Sequence, residues 1–490
     1  MSLRSFLTST SALILLAACS PQTSENAAAP AAVEAAAAEQ TETEQTETEL
    51  LNAWFDEQFE AELAFSPESK TYLGRLDDLE AYGQWDDPSD EAFRAGLQRE
   101  ADRLRYMQEN FDYDALTADA QVSWRFSEFI AANEAQQGEF RDHGYIFTQY
   151  FGPHTDLPSL LIGYHNIENL DQAEAYLSRL SSLGDVIDVY TGQADDQAQA
   201  GILAPAFAYP IVIEAAQRFI TGAPFDDSGE DSPLLADFRG KVEALEIDDD
   251  AKAALIARAA TALTDNVAPA YRHLIEVMQR HSEMTGGRND GAWALPDGEE
   301  FYRSQLTNYT TRTDLTAADI HQTGLDEVAR IHGEMQAIVD QVGFEGTLQE
   351  FFTFLRTDPQ FYYPDTDEGR AAYLADATAI IDRVMAAAPD YFGQLPVAGL
   401  EVRAVEEYRI TTATGAFYEP GSLDGTRPGA YYVNLAHMAE SPTYQMESLA
   451  YHEGAPGHHF QSSLAQELEG APMFQRLTWY SAYGEGWALY

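Results

Sequence analysis

One short stretch constrains the fold more than any other. Residues 451–461 read YHEGAPGHHFQ, with a proline and a glycine between histidines. Proline lacks a backbone donor and clashes with the preceding helical turn, and glycine adopts backbone angles that other residues avoid. We therefore expect a helix that carries His452 to bulge or break at Pro456 and Gly457.

The residue types in this stretch suit a metal ion. Three of the eleven histidines lie within eight residues, and His452 is followed directly by Glu453. Neutral imidazoles and a carboxylate suit catalytic Zn²⁺, which keeps a fourth position for water. A carboxylate beside the first histidine can take a proton from that water. The pattern predicts a single Zn²⁺ with Glu453 as the general base.

The spacing alone does not decide whether His458 or His459 is the second histidine ligand. In the familiar H-E-x-x-H motif, histidines at i and i+4 share one helix face. On an unbroken helix, i+6 turns through about 600° and points away, whereas i+7 lies about 10 Å along the axis, too far to share one ion. If the break absorbs two residues, His458 takes the second position. We favour His458, and His459 is the alternative ligand or a group that supports the ligands or contacts substrate.

Several strings resemble one known family. HEGAPGHHFQ and the later string EGWALY resemble the two signatures of the domain-of-unknown-function 885 family. The upstream strings AFYEPGSLDG (416–425) and RPGAYYVN (427–434) and the helical stretch 319–361 resemble it as well. The resemblance therefore covers most of the chain after residue 50.

This family is similar to zincin-like metallopeptidases that use a downstream glutamate as the third ligand. The resemblance implies that His452, His458 and Glu485 bind the metal and that Glu453 is the general base. Glu485 alone would be unremarkable, but it supplies the ligand that a two-histidine site lacks.

The beginning of the chain looks like a bacterial lipoprotein signal. A short apolar run, too short to span a membrane, ends in Leu-Ala-Ala directly before Cys19. This predicts a signal peptide over residues 1–18 and lipidation of Cys19. Residues 19–50, rich in Ala, Glu and Thr, are predicted to be a disordered tether, and 51–490 a mostly helical metallopeptidase-like domain. We expect the protein in the bacterial cell envelope, lipid-anchored on the periplasmic side of the outer membrane.

Composition excludes several classes of protein. Cys19 is the only cysteine, so the chain can form no internal disulfide, cysteine nucleophile or thiolate metal site. Asp and Glu total 81 against 28 Lys and Arg, a net charge of −53. This charge repels nucleic acid and anionic membrane surfaces, so that membrane contact should come through the lipid alone. It would steer a cationic substrate favourably.

Helical periodicity dominates the body. Thr316 and Asp319 form a capping box before apolar residues that recur every three or four positions, and 237–262 and 371–385 also have helical patterns. Strand patterns are few, at 400–405 and 430–435. The sequence therefore predicts a mainly α, zincin-like body with a small β-sheet near the active site.

Two predictions concern the surroundings of the histidines. Ser441 and Pro442 fit an N-cap followed by proline, which would put His452 in the third to fourth turn of the helix. The strand before that helix is predicted to be an edge strand that binds an extended peptide substrate. Tyr432 and Asn434 are the predicted substrate contacts, and a plain buried strand is the alternative.

Together these patterns predict a lipoprotein zinc hydrolase that cleaves peptide bonds. A metal-dependent amidase acting on cell-wall peptides is one alternative, and a non-catalytic binding lipoprotein that retains the fold is another. The intact Glu453 favours an enzyme, since a binding site needs no base there. Tyr490 falls within the predicted helix of Glu485 without a C-cap, so we expect further residues downstream.

Overall fold

The computed structural model describes residues 45–75, 78–410, 412–423, 425 and 427–490. Cys19 and most of the predicted tether lie outside the described residues. The first described helix begins at Glu47, with Thr46 as its N-cap. The Thr46 side chain accepts a hydrogen bond from the Glu49 amide, and the Glu49 carboxylate accepts one from the Thr46 amide in return.

The described residues are mainly helical, as predicted. The first eleven helices are α1 (Glu47–Leu63), α2 (Pro67–Tyr72), α3 (Leu79–Tyr82), α4 (Asp90–Asn110), α5 (Ala118–Glu139), α6 (Pro153–Gly163), α7 (Leu170–Gln199), α8 (Ala208–Phe219), α9 (Pro233–Glu243), α10 (Asp249–Ala262) and α11 (Ala268–Met284). The remaining helices are α12 (Gly298–Thr310), α13 (Ala317–Val342), α14 (Leu348–Thr357), α15 (Asp367–Ala387), α16 (Thr443–Leu449), α17 (His458–Gln466), α18 (Met473–Leu477) and α19 (Ser481–Leu489). The strands are β1 (Leu400–Ala404), β2 (Ala416–Glu419) and β3 (Gly429–Val433).

The larger hydrophobic core surrounds the 30-residue helix α7. Leu180 and Ile187 of α7 pack with Phe238, Tyr271 and Leu274 from helices α9 and α11, and all five side chains are fully buried. This core holds the N-terminal helices together as a platform next to the sheet.

The helix predicted over 237–262 is wrong, because two helices occupy this range. Helix α9 ends at Glu243, and α10 begins after Asp248, whose side chain accepts a hydrogen bond from the Ala251 amide. An N-cap of this kind satisfies one of the free donors at a helix start and favours a new helix there.

A second, smaller core lies directly behind the histidine stretch. Ile381 of α15 packs with Tyr431 of β3, Met446 of α16 and Ala450. This core fixes the sheet and helix α15 against the segment that carries His452. The predicted closeness of a small sheet to the histidines is therefore confirmed.

The three strands are ordered β1-β3-β2, with β1 parallel and β2 antiparallel to β3. The prediction that the strand at 430–435 is an edge strand is wrong, because β3 is hydrogen-bonded on both sides. The antiparallel strand on its outer side, β2, has no further partner strand among the described residues. β2 was not predicted as a strand.

Helix α13 has the predicted capping box at Thr316 and Asp319, yet its apolar face is open to solvent. Leu325 and Ile338 are each 52% exposed, so periodicity correctly predicted the helix but not its burial. No described helix combines the length and apolar composition that crossing a membrane requires.

Candidate metal centre

The histidine stretch begins on a helix that changes its winding. Helix α16 is preceded by Pro442 as N-cap, one residue later than predicted, and continues into a π-helical turn over Ala450–Gly454. The chain then leaves the helix, and α17 begins at His458. The predicted break at Pro456 and Gly457 is confirmed.

The break closes tightly on itself around Gly457. The Gly457 amide donates a hydrogen bond of 2.9 Å to the carbonyl of Tyr451. A Cβ at Gly457 would lie 2.0 Å from the His452 carbonyl oxygen and 2.4 Å from that of Tyr451. The close approach of the two backbone segments therefore requires glycine, and it fixes the start of α17 relative to His452.

This geometry brings His452 and His458 together with Glu485 of α19. Glu485 Oε2 lies 3.2 Å from His452 Nε2 and 3.6 Å from His458 Nε2, and the ligand atoms of all three residues lie within 4.8 Å of one another. The two imidazole rings meet edge to face, with centroids 4.7 Å apart. The His458 side chain is 8% exposed, His452 is partly buried, and Glu485 opens to solvent.

These separations suit one tetrahedral ion. Zinc bound at about 2.1 Å by nitrogen and oxygen donors holds neighbouring donors about 3.4 Å apart. Burial lowers the pKa of His458, which the negative charge of Glu485 partly opposes. A neutral imidazole is the form that binds metal.

Glu453 lies beside this cluster without joining it. Its carboxyl group is buried, and Oε2 is 3.9 Å from His458 Nε2. Burial raises the pKa of Glu453 to about 7, with a further contribution from the charge of Glu485. A carboxyl group in such a position can exchange a proton near neutral pH.

His459 points away from the cluster. Its ring is fully buried, and Nδ1 lies 3.1 Å from the Tyr418 hydroxyl and 3.3 Å from the Ser463 hydroxyl. Burial lowers its pKa to about 4, an effect that the Ala398 carbonyl partly opposes. His459 therefore anchors α17 to strand β2 in this geometry.

Two tryptophans hold α19 against the histidines, and sequence reasoning assigned them no such position. The Trp487 indole donates a 2.9 Å hydrogen bond to the Pro456 carbonyl, which ties α19 to the break. The Trp479 ring lies 5.5 Å from the His458 ring and fits against Gly484, where a Cβ would be 2.1 Å from the indole. The glycine pattern around Glu485 is the sequence signal for this close packing.

Tyr432 and Asn434, the predicted substrate contacts, both interact with other residues of the protein. Tyr432 is 4% exposed and stacks on Phe417 with ring centroids 4.9 Å apart. The Asn434 amide donates to the carbonyls of Ile410 and Ala413 and so holds a loop. Because β3 is central, the edge strands among the described residues are β1 and β2, and β2 carries Tyr418, which contacts His459.

Comparison with known proteins assigns the family. Residues 67–490 match the family described as bacterial protein of unknown function (DUF885), and the chain belongs to this family. A solved structure, that of a putative lipoprotein from Colwellia psychrerythraea, is similar to this chain with a TM-score of 0.77 and 26% identity. The match covers 90% of this chain and 77% of the other. No curated protein matches this chain significantly.

Proposed function

We propose that this protein is a zinc-dependent hydrolase of peptide bonds. The observation that carries the proposal is the convergence of His452, His458 and Glu485 on one point, with the buried Glu453 beside it. The three would hold the ion, and Glu453 would be the general base. The resemblance of the motifs to those of zincin-like metallopeptidases supports the same assignment.

The donor set fits zinc. Two imidazoles and one carboxylate are a usual set for a catalytic site, which leaves the fourth position open. When bound, the ion supplies a Lewis acid that polarises a carbonyl group and lowers the pKa of water. The side of the cluster at Glu485 is exposed to solvent, which gives a substrate access.

The protein's own residues would transfer the proton and position the ligands. Glu453 takes a proton from the attacking water and returns it to the leaving amine nitrogen. Its carboxyl group is buried, with Oε2 3.9 Å from His458 Nε2. Trp479 and the Trp487 hydrogen bond keep α17 and α19 in register, so that Glu485 stays opposite the two imidazoles.

Metal content and turnover of purified variants test the proposal. We expect about one zinc per chain in the wild type, lost in His452→Ala, His458→Ala and Glu485→Ala. His459→Ala is the matched control within the same stretch and should keep the ion. Glu453→Gln should also keep the ion, but hydrolysis of a peptide library should fall about 100-fold or more.

The possible outcomes separate the candidate functions. Wild-type protein that stays free of zinc under zinc-replete conditions would refute the hydrolase mechanism. Protein that binds zinc but cleaves no peptide would favour a binding lipoprotein. Cleavage confined to cell-wall peptides would identify the amidase. Loss of zinc in His459→Ala with retention in His458→Ala would move the second ligand by one residue.

We further propose that Cys19 carries a lipid that anchors the protein to the periplasmic side of the outer membrane. The support is the Leu-Ala-Ala-Cys string and the similar structure, which is described as a putative lipoprotein. Cys19→Ser should move the protein from the membrane fraction to the soluble fraction and abolish fatty-acid labelling. Unchanged labelling would refute this assignment.

A further inference from the structure

A cavity of about 290 Å³ lies on the face of β2 opposite the histidines. Tyr418 points from β2 toward His459, and its neighbours Phe417 and Glu419 point to the other side and line the cavity. The volume is near the lower limit of ligand sites, which suits a single side chain. Its aromatic lining is Tyr72, Tyr150, Phe151, Tyr164 and Phe417.

The rim of this cavity exposes aromatic rings to solvent. Phe151 is 62% exposed, Tyr150 51% and Tyr72 39%. Tyr72 and Tyr164 meet edge to face with centroids 4.6 Å apart, which holds both rings in place. Aromatic faces attract cations, and the attraction strengthens where water is excluded.

The charged residues of the lining favour a cation. Two carboxylates, Asp156 and Glu419, face one guanidinium, Arg409. Arg409 contacts both Glu406, at 2.7 Å, and Glu419, at 2.8 Å, so that its charge is already balanced. The cavity is therefore poorly suited to an anion. The guanidinium of Arg427 lies outside the lining, 4.5 Å from the centre of the Tyr164 ring.

Asp156 has no cationic partner within 4 Å among the described residues. Its carboxylate accepts hydrogen bonds from the Gly152 amide, at 3.1 Å, and from the Thr155 hydroxyl, at 3.3 Å. The Asp156 side chain is exposed at the cavity, and desolvation by the neighbouring residues still raises its pKa to about 6. Above pH 7 it is an ionised acceptor beside aromatic rings.

We propose that this cavity is a specificity site for a lysine or arginine side chain of the peptide substrate, an inference that rests on the proposed hydrolase function. The ammonium or guanidinium group binds Asp156, and the alkyl stem lies against Tyr72 and Phe417. Tyr418 of β2 lies 6.4 Å from the His458 ring, and its neighbours Phe417 and Glu419 line the cavity, so the proposal places one extended peptide along β2 with alternate side chains on the two faces. The net charge of −53 assists the approach of such a peptide.

A positional set of peptides tests the inference. One lysine is placed at each position of an alanine hexapeptide, and norleucine, which has a similar length and no charge, replaces it in the matched set. Binding is measured by calorimetry at pH 8 with zinc-supplemented full-length Glu453→Gln, and hydrolysis with the wild type. We expect lysine at one position to bind at least about fivefold more tightly than norleucine.

Asp156→Asn should reduce this preference to less than twofold. Asp227→Asn removes the same charge from an exposed loop and should retain it, provided that both variants unfold at the wild-type temperature. Equal binding of lysine and norleucine peptides, or a preference that survives Asp156→Asn, would overturn the inference. A lysine preference in binding without any hydrolysis would refute the proposed function alone, whereas hydrolysis without a preference would refute the specificity site alone.

Discussion

Replacement of Gly457 by alanine tests whether the break in the helix sets the spacing of the site. A Cβ at this position would lie 2.0 Å from the His452 carbonyl oxygen, and Cβ atoms essentially never approach another heavy atom closer than 3.0 Å. This contact must therefore widen by at least 1.0 Å, and the contact with the Tyr451 carbonyl by 0.6 Å. Because the clash is with backbone rather than a flexible side chain, His452 and the start of α17 must move apart.

A metal site tolerates deviations of only about 0.2 Å in its ligand distances. Loss of the interactions that orient metal ligands typically costs about 10- to 100-fold in metal affinity. We therefore expect Gly457→Ala to weaken zinc binding about 10- to 100-fold, as measured by competition with a chromophoric chelator. The unfolding temperature should also fall, because the overpacked turn costs about 1–3 kcal/mol.

Gly486→Ala is the matched control. Gly486 follows Glu485 in α19, and a Cβ there would meet nothing within 4 Å. This variant should keep wild-type zinc affinity and gain up to about 1 kcal/mol of helix stability. Wild-type affinity in Gly457→Ala, within threefold, would show that the break does not hold the two histidines in register.

Two further predictions concern stability and the link between helices. His154 is fully buried without a hydrogen-bond partner for either ring nitrogen, and burial lowers its pKa from 6.5 to about 3. Below pH 6.5 the unfolded chain therefore binds a proton at this residue that the folded chain does not, and this group alone should lower stability by about 2 kcal/mol between pH 7.5 and pH 5. Because burial also lowers the pKa of His165 and His459, His154→Leu should make the loss about 2 kcal/mol smaller in urea unfolding at the two pH values, and an equal loss in both proteins would contradict the reasoning. Trp487→Phe deletes the hydrogen bond to Pro456, which is worth about 1 kcal/mol, so the dissociation constant for zinc should rise roughly fivefold. A change below twofold in the chelator assay would count against this link between the helices.

The histidine stretch was largely predictable, because its chemistry and its backbone constraint act locally. Proline removes a backbone donor and glycine permits unusual backbone angles, so a break at Pro456 and Gly457 could be predicted, and with it the pairing of His452 with His458. The sequence left His459 open as the alternative because its role depends on Tyr418, some 40 residues earlier, and on the position of β2. The capping box at Thr316 was predictable for the same local reason.

The errors concern the partners of β3, the strand β2 and the boundary between two helices. The residues of β3 have a strand pattern, but whether a strand is central or at an edge depends on partners elsewhere in the chain. β2 has only four residues, too few for an alternating pattern to be recognised. The range 237–262 was misread because periodicity continues across the interruption, and only the cap at Asp248 indicates the second helix. Helix α13 shows the same limit, since an apolar helix face does not indicate whether another part of the chain packs against it.

The break after Gly454 also determines which changes of chain length the site can tolerate. The separation of His452 and His458 is set by the backbone path of a few residues outside a regular helix, so deletion of one residue between them would remove up to about 3.5 Å of chain and break the closed turn around Gly457. The stretch between α17 and α18, by contrast, contains an exposed turn with Gly470 at positive φ. Insertions there would lengthen a surface loop and leave Glu485 on its helix. The number of residues between His452 and His458 is therefore fixed, whereas the number between His458 and Glu485 can vary. Related chains should keep the first spacing and differ in the second.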